Sequence, residues 1–139
     1  MKIGYSYYVL DIIHKGHLLM MKNSKAMAGK DGKLIVGILT ESAVLEKKSE
    51  PPILSLDERI DIAESIKYVD IAIPQETYSP IPNVKRIKPD ILMESASHSE
   101  EDMVEARKVV ESYGGRIVIM PYYPLQCSTN IKKKIKDVH

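Results

Sequence analysis

Short apolar runs alternate along the chain with segments in which apolar residues recur at helical spacing. The apolar runs predict five strands, at residues 3–10, 34–39, 69–73, 90–93 and 117–120. The segments between them predict helices: one that starts at residues 14–17 and ends at Gly29, three at residues 55–67, 84–87 and 99–113, and a last one that begins near Ser128. Strands alternating with helices predict an α/β Rossmann-like three-layer sandwich with a five-stranded parallel sheet.

The loops that follow the strands are the expected place for a site, because parallel α/β sheets bind ligands at the carboxyl ends of their strands. The loops after residues 10, 39, 93 and 120 should therefore converge at one edge of the sheet. The segment from Glu94 to His98, after the fourth predicted strand, is polar, as expected for such a site.

Composition narrows the class of protein. The 139 residues predict a single domain over residues 1–139, and 20 Lys and Arg against 19 Asp and Glu argue against a nucleic-acid partner held by an overall positive field. The single cysteine, Cys127, cannot form an internal disulfide, and the start of the chain lacks the apolar core of a signal peptide. The apolar runs are too short to span a bilayer. We therefore expect a soluble, cytoplasmic protein with no nucleic-acid or membrane partner.

Two histidines at the start of the first predicted helix are the strongest chemical signal. His14 and His17 flank Gly16, and their spacing of three places both imidazoles on one side of the first turn. A helix N-terminus offers unpaired amide hydrogens and partial positive charge, and a glycine lets a phosphate approach the backbone. A triphosphate would suit this position. The alternative is a pair of surface or capping histidines.

Three segments resemble, in order and separation, signature motifs of one enzyme superfamily. They are Asp-Ile-Ile-His-Lys-Gly-His at residues 11–17, Ile-Lys-Tyr-Val-Asp at residues 66–70 followed by Ile73-Pro74, and Cys-Ser-Thr-Asn-Ile at residues 127–131. The chain resembles the nucleotidyltransferase superfamily with the His-x-Gly-His motif, in its glycerol-3-phosphate and phosphonate cytidylyltransferase branch. The resemblance implies transfer of CMP from CTP to a small phosphate or phosphonate acceptor, with release of pyrophosphate. It also implies Mg²⁺ bound with CTP, no metal site formed by side chains, and a homodimer.

The resemblance assigns roles to individual residues. His14 and His17 are the catalytic, phosphate-binding pair beside Gly16, Val9 and Leu10 contact the nucleotide through their backbone, and Ser128 and Thr129 hold the β- and γ-phosphates. Lys47 is the catalytic lysine that bridges the nucleotide and the acceptor, with Lys48 as the alternative. The remaining nucleotide-binding candidates are residues of the last two strand ends, namely Met93, Glu94, Ser95 and Tyr122.

Departures from the family pattern bear on the acceptor. Glu76 and Thr77 stand where the glycerol-3-phosphate branch has a lysine that contacts the acceptor, and we expect both to bind the acceptor here. Residues 73–77 and 82–90 resemble cytidylyltransferase domains joined to phosphoenolpyruvate-mutase-type enzymes of phosphonate biosynthesis. The expected acceptor is a small hydroxyalkyl- or aminoalkyl-phosphonate, with 2-hydroxyethylphosphonate as first choice. Arg59 follows a predicted capping box, where its ordinary role would be an ion pair on the helix surface.

Three other functions stay open at this point. Two lie within the superfamily: an adenylyltransferase, which shares the histidine motif, and a glycerol-3-phosphate cytidylyltransferase. The third is a non-catalytic metal- or anion-binding module built on His14 and His17, although the sequence supplies no further ligand beside them.

Overall fold

The computed structural model describes residues 1–96, 98 and 100–120. Its strands in chain order are β1 (Ile3–Tyr8), β2 (Lys33–Leu39), β3 (Ile71–Gln75), β4 (Ile91–Ser95) and β5 (Arg116–Met120). Its helices are α1 (Lys15–Ala28), α2 (Glu41–Leu45), α3 (Leu56–Glu64), α4 (Ile81–Ile87) and α5 (Glu100–Ser112). Within this part of the chain no helix is both long and apolar enough to cross a membrane.

The strands form one parallel sheet in the order β3-β2-β1-β4-β5. The chain builds outward from β1 through β2 to β3 and then returns to the other side of β1 to form β4. This reversal opens a crevice between β1 and β4 at their carboxyl ends, the usual ligand site of such sheets. The predicted Rossmann-like α/β fold is confirmed.

Helices cover both faces of the sheet because side chains of a strand alternate between its faces. On one face, Met21 of α1 and Ala63 of α3 pack with Tyr8 of β1 in a buried apolar cluster. On the other face, Val84 of α4 and Val110 of α5 pack in a second cluster, which contains Tyr5 of β1, Leu92 of β4 and Ala106. The central strand β1 is therefore packed on both faces, and this packing fixes its carboxyl end beside the crevice.

The structure shifts several predicted boundaries. β1 ends at Tyr8 rather than residue 10, and β3 runs over Ile71–Gln75 rather than residues 69–73. The pattern gave no indication of α2, whose five residues are too few to show a helical period. Its start is fixed by Thr40, whose Oγ1 accepts a hydrogen bond from the backbone N–H of Ala43 at 3.2 Å. The predicted last helix near Ser128 lies outside the described residues.

Arg59 is not on the helix surface, and the expected surface ion pair is wrong. Its side chain is buried, with only 1% of its surface exposed. Nη1 donates to the carbonyl oxygens of Val9 at 2.8 Å and Leu39 at 2.6 Å, and Nε donates to that of Leu54 at 3.1 Å. One guanidinium thus joins the chain just beyond β1, the end of β2 and the segment before α3.

Asp11 completes this junction from the β1–α1 loop. Its buried carboxylate accepts backbone N–H groups of Ile53 and Leu54, both at 2.8 Å. Burial lowers the pKa of Arg59, and the charge of Asp11 opposes that shift, so the guanidinium keeps its proton. We call Asp11 and Arg59 the loop anchor.

We predict that Arg59→Lys lowers the free energy of unfolding by about 2–4 kcal/mol, because one ammonium cannot reach three separate carbonyl groups and leaves buried oxygens unpaired. Urea denaturation of the variant against wild type measures the change. Arg116→Lys, at an exposed position on β5, is the matched control and should be nearly neutral. Equal losses in both variants would contradict the anchoring role.

Candidate active site

Loops of the described strands converge at the carboxyl edge of the sheet, as predicted for those after residues 10, 39 and 93. Arg59 joins the first two, since it binds the carbonyl groups of both Val9 and Leu39. Tyr7 of β1 joins the third, since its hydroxyl donates to Oε2 of Glu94 at 2.6 Å. The loop after residue 120 lies outside the described residues.

The two histidines cap α1 with their own side chains. Nδ1 of His14 accepts the backbone N–H of Gly16 at 3.0 Å, and Nδ1 of His17 accepts the backbone N–H of His14 at 3.3 Å. This reciprocal arrangement is a capping box, and it places the ring centres 4.0 Å apart. Capping therefore does occur, but it uses only one nitrogen of each ring.

The capping fixes the chemistry of the other nitrogen. An Nδ1 atom that accepts a hydrogen bond carries no proton, so a neutral ring must carry its proton on Nε2. Burial, reinforced by the neighbouring His14, lowers the pKa of His17 to about 4, and burial lowers the pKa of His14 as well. Both rings are thus neutral near pH 7. Each offers an Nε2–H donor at the N-terminus of α1, where an anion is favoured.

The loop that leads to this pair is held in an uncommon conformation. Leu10 has a φ of 60° and is buried, although left-handed backbone is unfavourable for such a side chain. The loop anchor stabilises this conformation from both sides. The carbonyl group of Val9 accepts from Arg59 of α3, and the carboxylate of Asp11 accepts from the segment before α3. The predicted contacts of Val9 and Leu10 with the nucleotide would come from this fixed backbone.

The end of β4 presents its side chains to opposite faces. Met93 packs with Met20, Met27 and Met120 on the α1 side. Glu94, only 2% exposed, points to the opposite side, where it accepts the Tyr7 hydroxyl and lies 3.9 Å from Nε2 of His98. The carboxylate therefore belongs to a cluster of rings, and the predicted binding of the nucleotide by Glu94 stays a prediction.

A cavity of about 310 Å³ opens beside these rings, and we call it the lysine cavity. Its described lining comes from β1 and β4, from the segments that follow α2, β3 and β4, and from α4 and α5: Tyr7, Glu46, Lys47, Tyr78, Ser79, Pro80, Ile81, Glu94, His98, Glu101, Met103 and Glu105. Lys47 is among them, with Nζ 5.7 Å from the centre of the Tyr78 ring, whereas Lys48 is not. Lys47 thus lines this cavity, and its predicted role as the lysine of the site stays a prediction.

Glu76 and Thr77 are not brought to Lys47. They line a separate cavity of about 680 Å³ with Pro74, Asn83 and Arg86, between β3 and α4. Thr77 is also engaged locally, since its hydroxyl donates to the carbonyl oxygen of Ser79 at 2.7 Å. Their predicted role in acceptor binding stays a prediction. Tyr122, Ser128 and Thr129 lie outside the described residues.

The structure adds three rings that the sequence left without a role. Tyr7, Tyr78 and His98 surround one end of the lysine cavity, with the centre of the His98 ring 5.8 Å from that of Tyr7 and 6.1 Å from that of Tyr78. Tyr7 could have been suspected from the sequence, because it is the last residue of β1 on its face of the sheet before the first loop. For His98 the only signal was its place in the polar segment from Glu94 to His98, since Glu94, four residues before it, lines the same cavity.

We predict that His17 makes the stability of the fold depend on pH. The pKa of histidine in the unfolded chain is about 6.5, above the value of about 4 in the fold, so between these values the unfolded chain binds the extra proton. This contribution to stability is complete above pH 6.5 and is lost as the pH falls towards 4. We expect the free energy of unfolding, measured by urea denaturation and plotted against pH over this range, to have a shallower slope in His17→Gln than in wild type. Equal slopes would exclude the neutral, capping imidazole.

Known proteins resemble this chain in sequence and in fold. The sequence profile of a family described as cytidylyltransferase-like matches residues 9–134. The bifunctional protein HldE of Acidiphilium cryptum is 30% identical over 137 residues, which are 98% of this chain and 27% of that protein. HldE of Hyphomonas neptunium is 30% identical over 122 residues, 87% of this chain and 24% of that protein. The chain thus spans about a quarter of the length of these curated relatives.

Solved structures give the same picture of the fold. The crystal structure of a lipopolysaccharide core biosynthesis protein from Thermoplasma volcanium superposes with a TM-score of 0.73 at 25% sequence identity, and the match covers 91% of this chain and 99% of that one. A protein from Archaeoglobus fulgidus superposes with a TM-score of 0.65 at 15% identity, covering 92% of this chain and 93% of that one.

Proposed function

The chain belongs to the cytidylyltransferase-like family of nucleotidyltransferases, and from this membership we propose that it transfers CMP from CTP to a small acceptor with a phosphate or phosphonate group. The observation that carries the proposal is the neutral pair His14 and His17. Their capping bonds leave two Nε2–H donors at a helix N-terminus, and the described loops of the same edge place Lys47 in a cavity. Such donors suit phosphate oxygens whose negative charge grows as the phosphorus becomes five-coordinate.

The proposed reaction is a direct displacement at the α-phosphorus. An oxygen of the acceptor's phosphate or phosphonate forms a bond to that phosphorus, and the bond from it to the bridging oxygen of the β-phosphate breaks. Pyrophosphate leaves with the electron pair of the broken bond. His14 and His17 donate hydrogen bonds to the nucleotide phosphates, and Lys47 neutralises charge where the two anions meet. No covalent enzyme intermediate is needed.

Mg²⁺ fits this scheme as part of the nucleotide substrate. Among the residues that the structure describes, no group of three or more His, Cys, Asp or Glu side chains could hold a metal ion. Mg²⁺ is commonly bound largely through substrate phosphates, so a protein cage is not required. In the proposal, Mg²⁺ enters with CTP, and Ser128 and Thr129 assist at the β- and γ-phosphates.

The base and the oligomeric state are proposed on the resemblance. The segment Met93-Glu94-Ser95 would read cytosine, with the Glu94 carboxylate accepting from the exocyclic amine and backbone groups supplying the other contacts. Tyr122 would lie nearby, and the enzyme would act as a cytoplasmic homodimer. Adenylyl transfer is the second candidate for the nucleotide.

The acceptor's tail can be argued from the charges of the lysine cavity. Lys47 is accompanied there by four glutamates, namely Glu46, Glu94, Glu101 and Glu105. A tail with a second negative charge would be repelled, whereas hydroxyl or ammonium groups can donate to the carboxylates. This supports an uncharged or cationic tail and agrees with 2-hydroxyethylphosphonate as the first choice. A sugar phosphate is the second candidate, since a structural relative is named for lipopolysaccharide core biosynthesis.

We predict that His14→Ala and His17→Ala each lower kcat by about a hundredfold, or ~3 kcal/mol of transition-state stabilisation, because each removes an Nε2–H donor. Steady-state pyrophosphate release measures the loss. Asn23→Ala, at an exposed position on α1, is a control that should retain wild-type turnover. Near-normal rates in both histidine variants would place the site elsewhere.

A substrate matrix tests the proposal itself. CTP and ATP are each combined with 2-hydroxyethylphosphonate, 2-aminoethylphosphonate, glycerol 3-phosphate and a hexose 1-phosphate. We expect Mg²⁺- and acceptor-dependent pyrophosphate release, with the highest kcat/KM for CTP and 2-hydroxyethylphosphonate. Equal kcat/KM for ATP would overturn the cytidylyl assignment. A clear lead for glycerol 3-phosphate or the sugar phosphate would overturn the phosphonate.

A further inference from the structure

A buried polar network lies beneath the segment that follows β3. Its members are Tyr5 of β1, Gln75 at the end of β3 and Asn83 of α4, all of them buried. The Tyr5 hydroxyl donates to Oε1 of Gln75 at 2.6 Å and accepts from Nδ2 of Asn83 at 2.9 Å. Arg86 donates to Oδ1 of Asn83, which fixes the orientation of that amide. The network thus links β1 to β3 and α4, across 70 and 78 residues of sequence.

The network acts on the backbone next to the lysine cavity. The Gln75 side-chain nitrogen donates to the carbonyl oxygens of Thr77 at 3.0 Å and Tyr78 at 3.1 Å. From the other side, the backbone N–H of Tyr78 donates to Oε2 of Glu46 at 2.9 Å. The Tyr78 backbone is therefore held at both its N–H and its carbonyl group.

Tyr78 in turn shapes the cavity. Its ring centre lies 5.7 Å from Nζ of Lys47 and 6.1 Å from the ring centre of His98. A cation at this distance from an aromatic face is attracted to it. The position of Tyr78 therefore bears directly on where the ammonium of Lys47 rests.

The network needs a glycine beside it on β2, and burying its polar groups is unfavourable. A Cβ atom on Gly37 of β2 would lie 2.0 Å from the Tyr5 hydroxyl oxygen and 3.0 Å from Oε1 of Gln75. Buried polar groups lose hydration, and only a complete set of hydrogen bonds offsets that loss. An apolar core here would need no such space, so the network is suited to fixing one arrangement rather than to adding stability.

We propose that Tyr5, Gln75 and Asn83 are positioning residues that fix Tyr78, and through it Lys47, for the acceptor. They do not touch the acceptor themselves. The inference rests on the proposed function, in which Lys47 meets the acceptor's anionic head. It assigns the network to acceptor binding, because the segment it holds lines the lysine cavity, whose described lining contains Lys47 and neither His14 nor His17.

Tyr5→Phe tests the proposal with the smallest change. It keeps the ring and removes the hydroxyl that satisfies both Gln75 and Asn83. With CTP and either 2-hydroxyethylphosphonate or glycerol 3-phosphate as acceptor probe, we expect the acceptor KM to rise about tenfold, while the KM of CTP changes less than about twofold. Gln75→Ala should produce the same pattern.

Tyr113→Phe is the matched control. Its hydroxyl donates a hydrogen bond to the carbonyl oxygen of Pro89 at 2.7 Å, but Tyr113 lies just before β5, at the amino edge of the sheet. Both variants lose a tyrosine hydroxyl, and only Tyr5→Phe should change the acceptor KM. If the two variants lose stability and leave both KM values unchanged, the network is structural and the positioning role is wrong.

A second measurement does not depend on activity. Hydrogen exchange of the Tyr78 backbone amide should be at least about tenfold faster in Tyr5→Phe than in wild type, and unchanged in Tyr113→Phe. Absence of pyrophosphate release by wild type with every acceptor would defeat the proposed function. An unchanged Tyr78 amide in Tyr5→Phe would defeat the positioning role, whether or not an acceptor is found.

Discussion

The site depends on the buried guanidinium of Arg59 and its three carbonyl partners. A parallel sheet leaves backbone oxygens exposed where its strands end, and here the carbonyls of Val9 and Leu39 point into the protein. Only a planar group with several fixed donors can satisfy them together with Leu54, and arginine is that group. The negative charge required nearby comes from Asp11, whose oxygens also accept the backbone N–H groups of Ile53 and Leu54.

This anchor explains how an unfavourable loop can precede the histidines. Leu10 remains in left-handed backbone because the residues on both sides are fixed, and strain of this kind is stable only when its surroundings dictate it. The loop then enters α1 with His14 at the cap. Since each imidazole uses Nδ1 to close the helix, the direction of Nε2 follows from backbone geometry. The hydrogen bonds that start the helix therefore also orient the Nε2–H donors. They select the tautomer protonated on Nε2 without help from other side chains.

The sequence predicts those features that local patterns determine. Apolar runs identify the strands, and Ser55 with Glu58 gives the start of α3 because a capping box needs only four residues. The end of β3 is missed because Pro74 and Gln75 do not look like strand residues, although an edge strand tolerates proline. Arg59 is misjudged because charge predicts exposure, and its partners lie up to 50 residues away. The Tyr5–Gln75 contact, 70 residues apart in sequence, leaves no local pattern at all.

The site also separates two kinds of charge that its substrates require. Both proposed substrates carry phosphate-like anions, yet carboxylates outnumber lysines among the described residues of the lysine cavity. The donors His14 and His17 lie at the start of α1, whereas Glu101 and Glu105 come from α5, on the opposite face of the sheet. In the proposed reaction, an acceptor that enters such a field would be turned with its anionic head towards Lys47 and its tail towards the carboxylates. The acceptor would then be oriented before it contacts the site, which would favour in-line attack by its head group on the α-phosphorus.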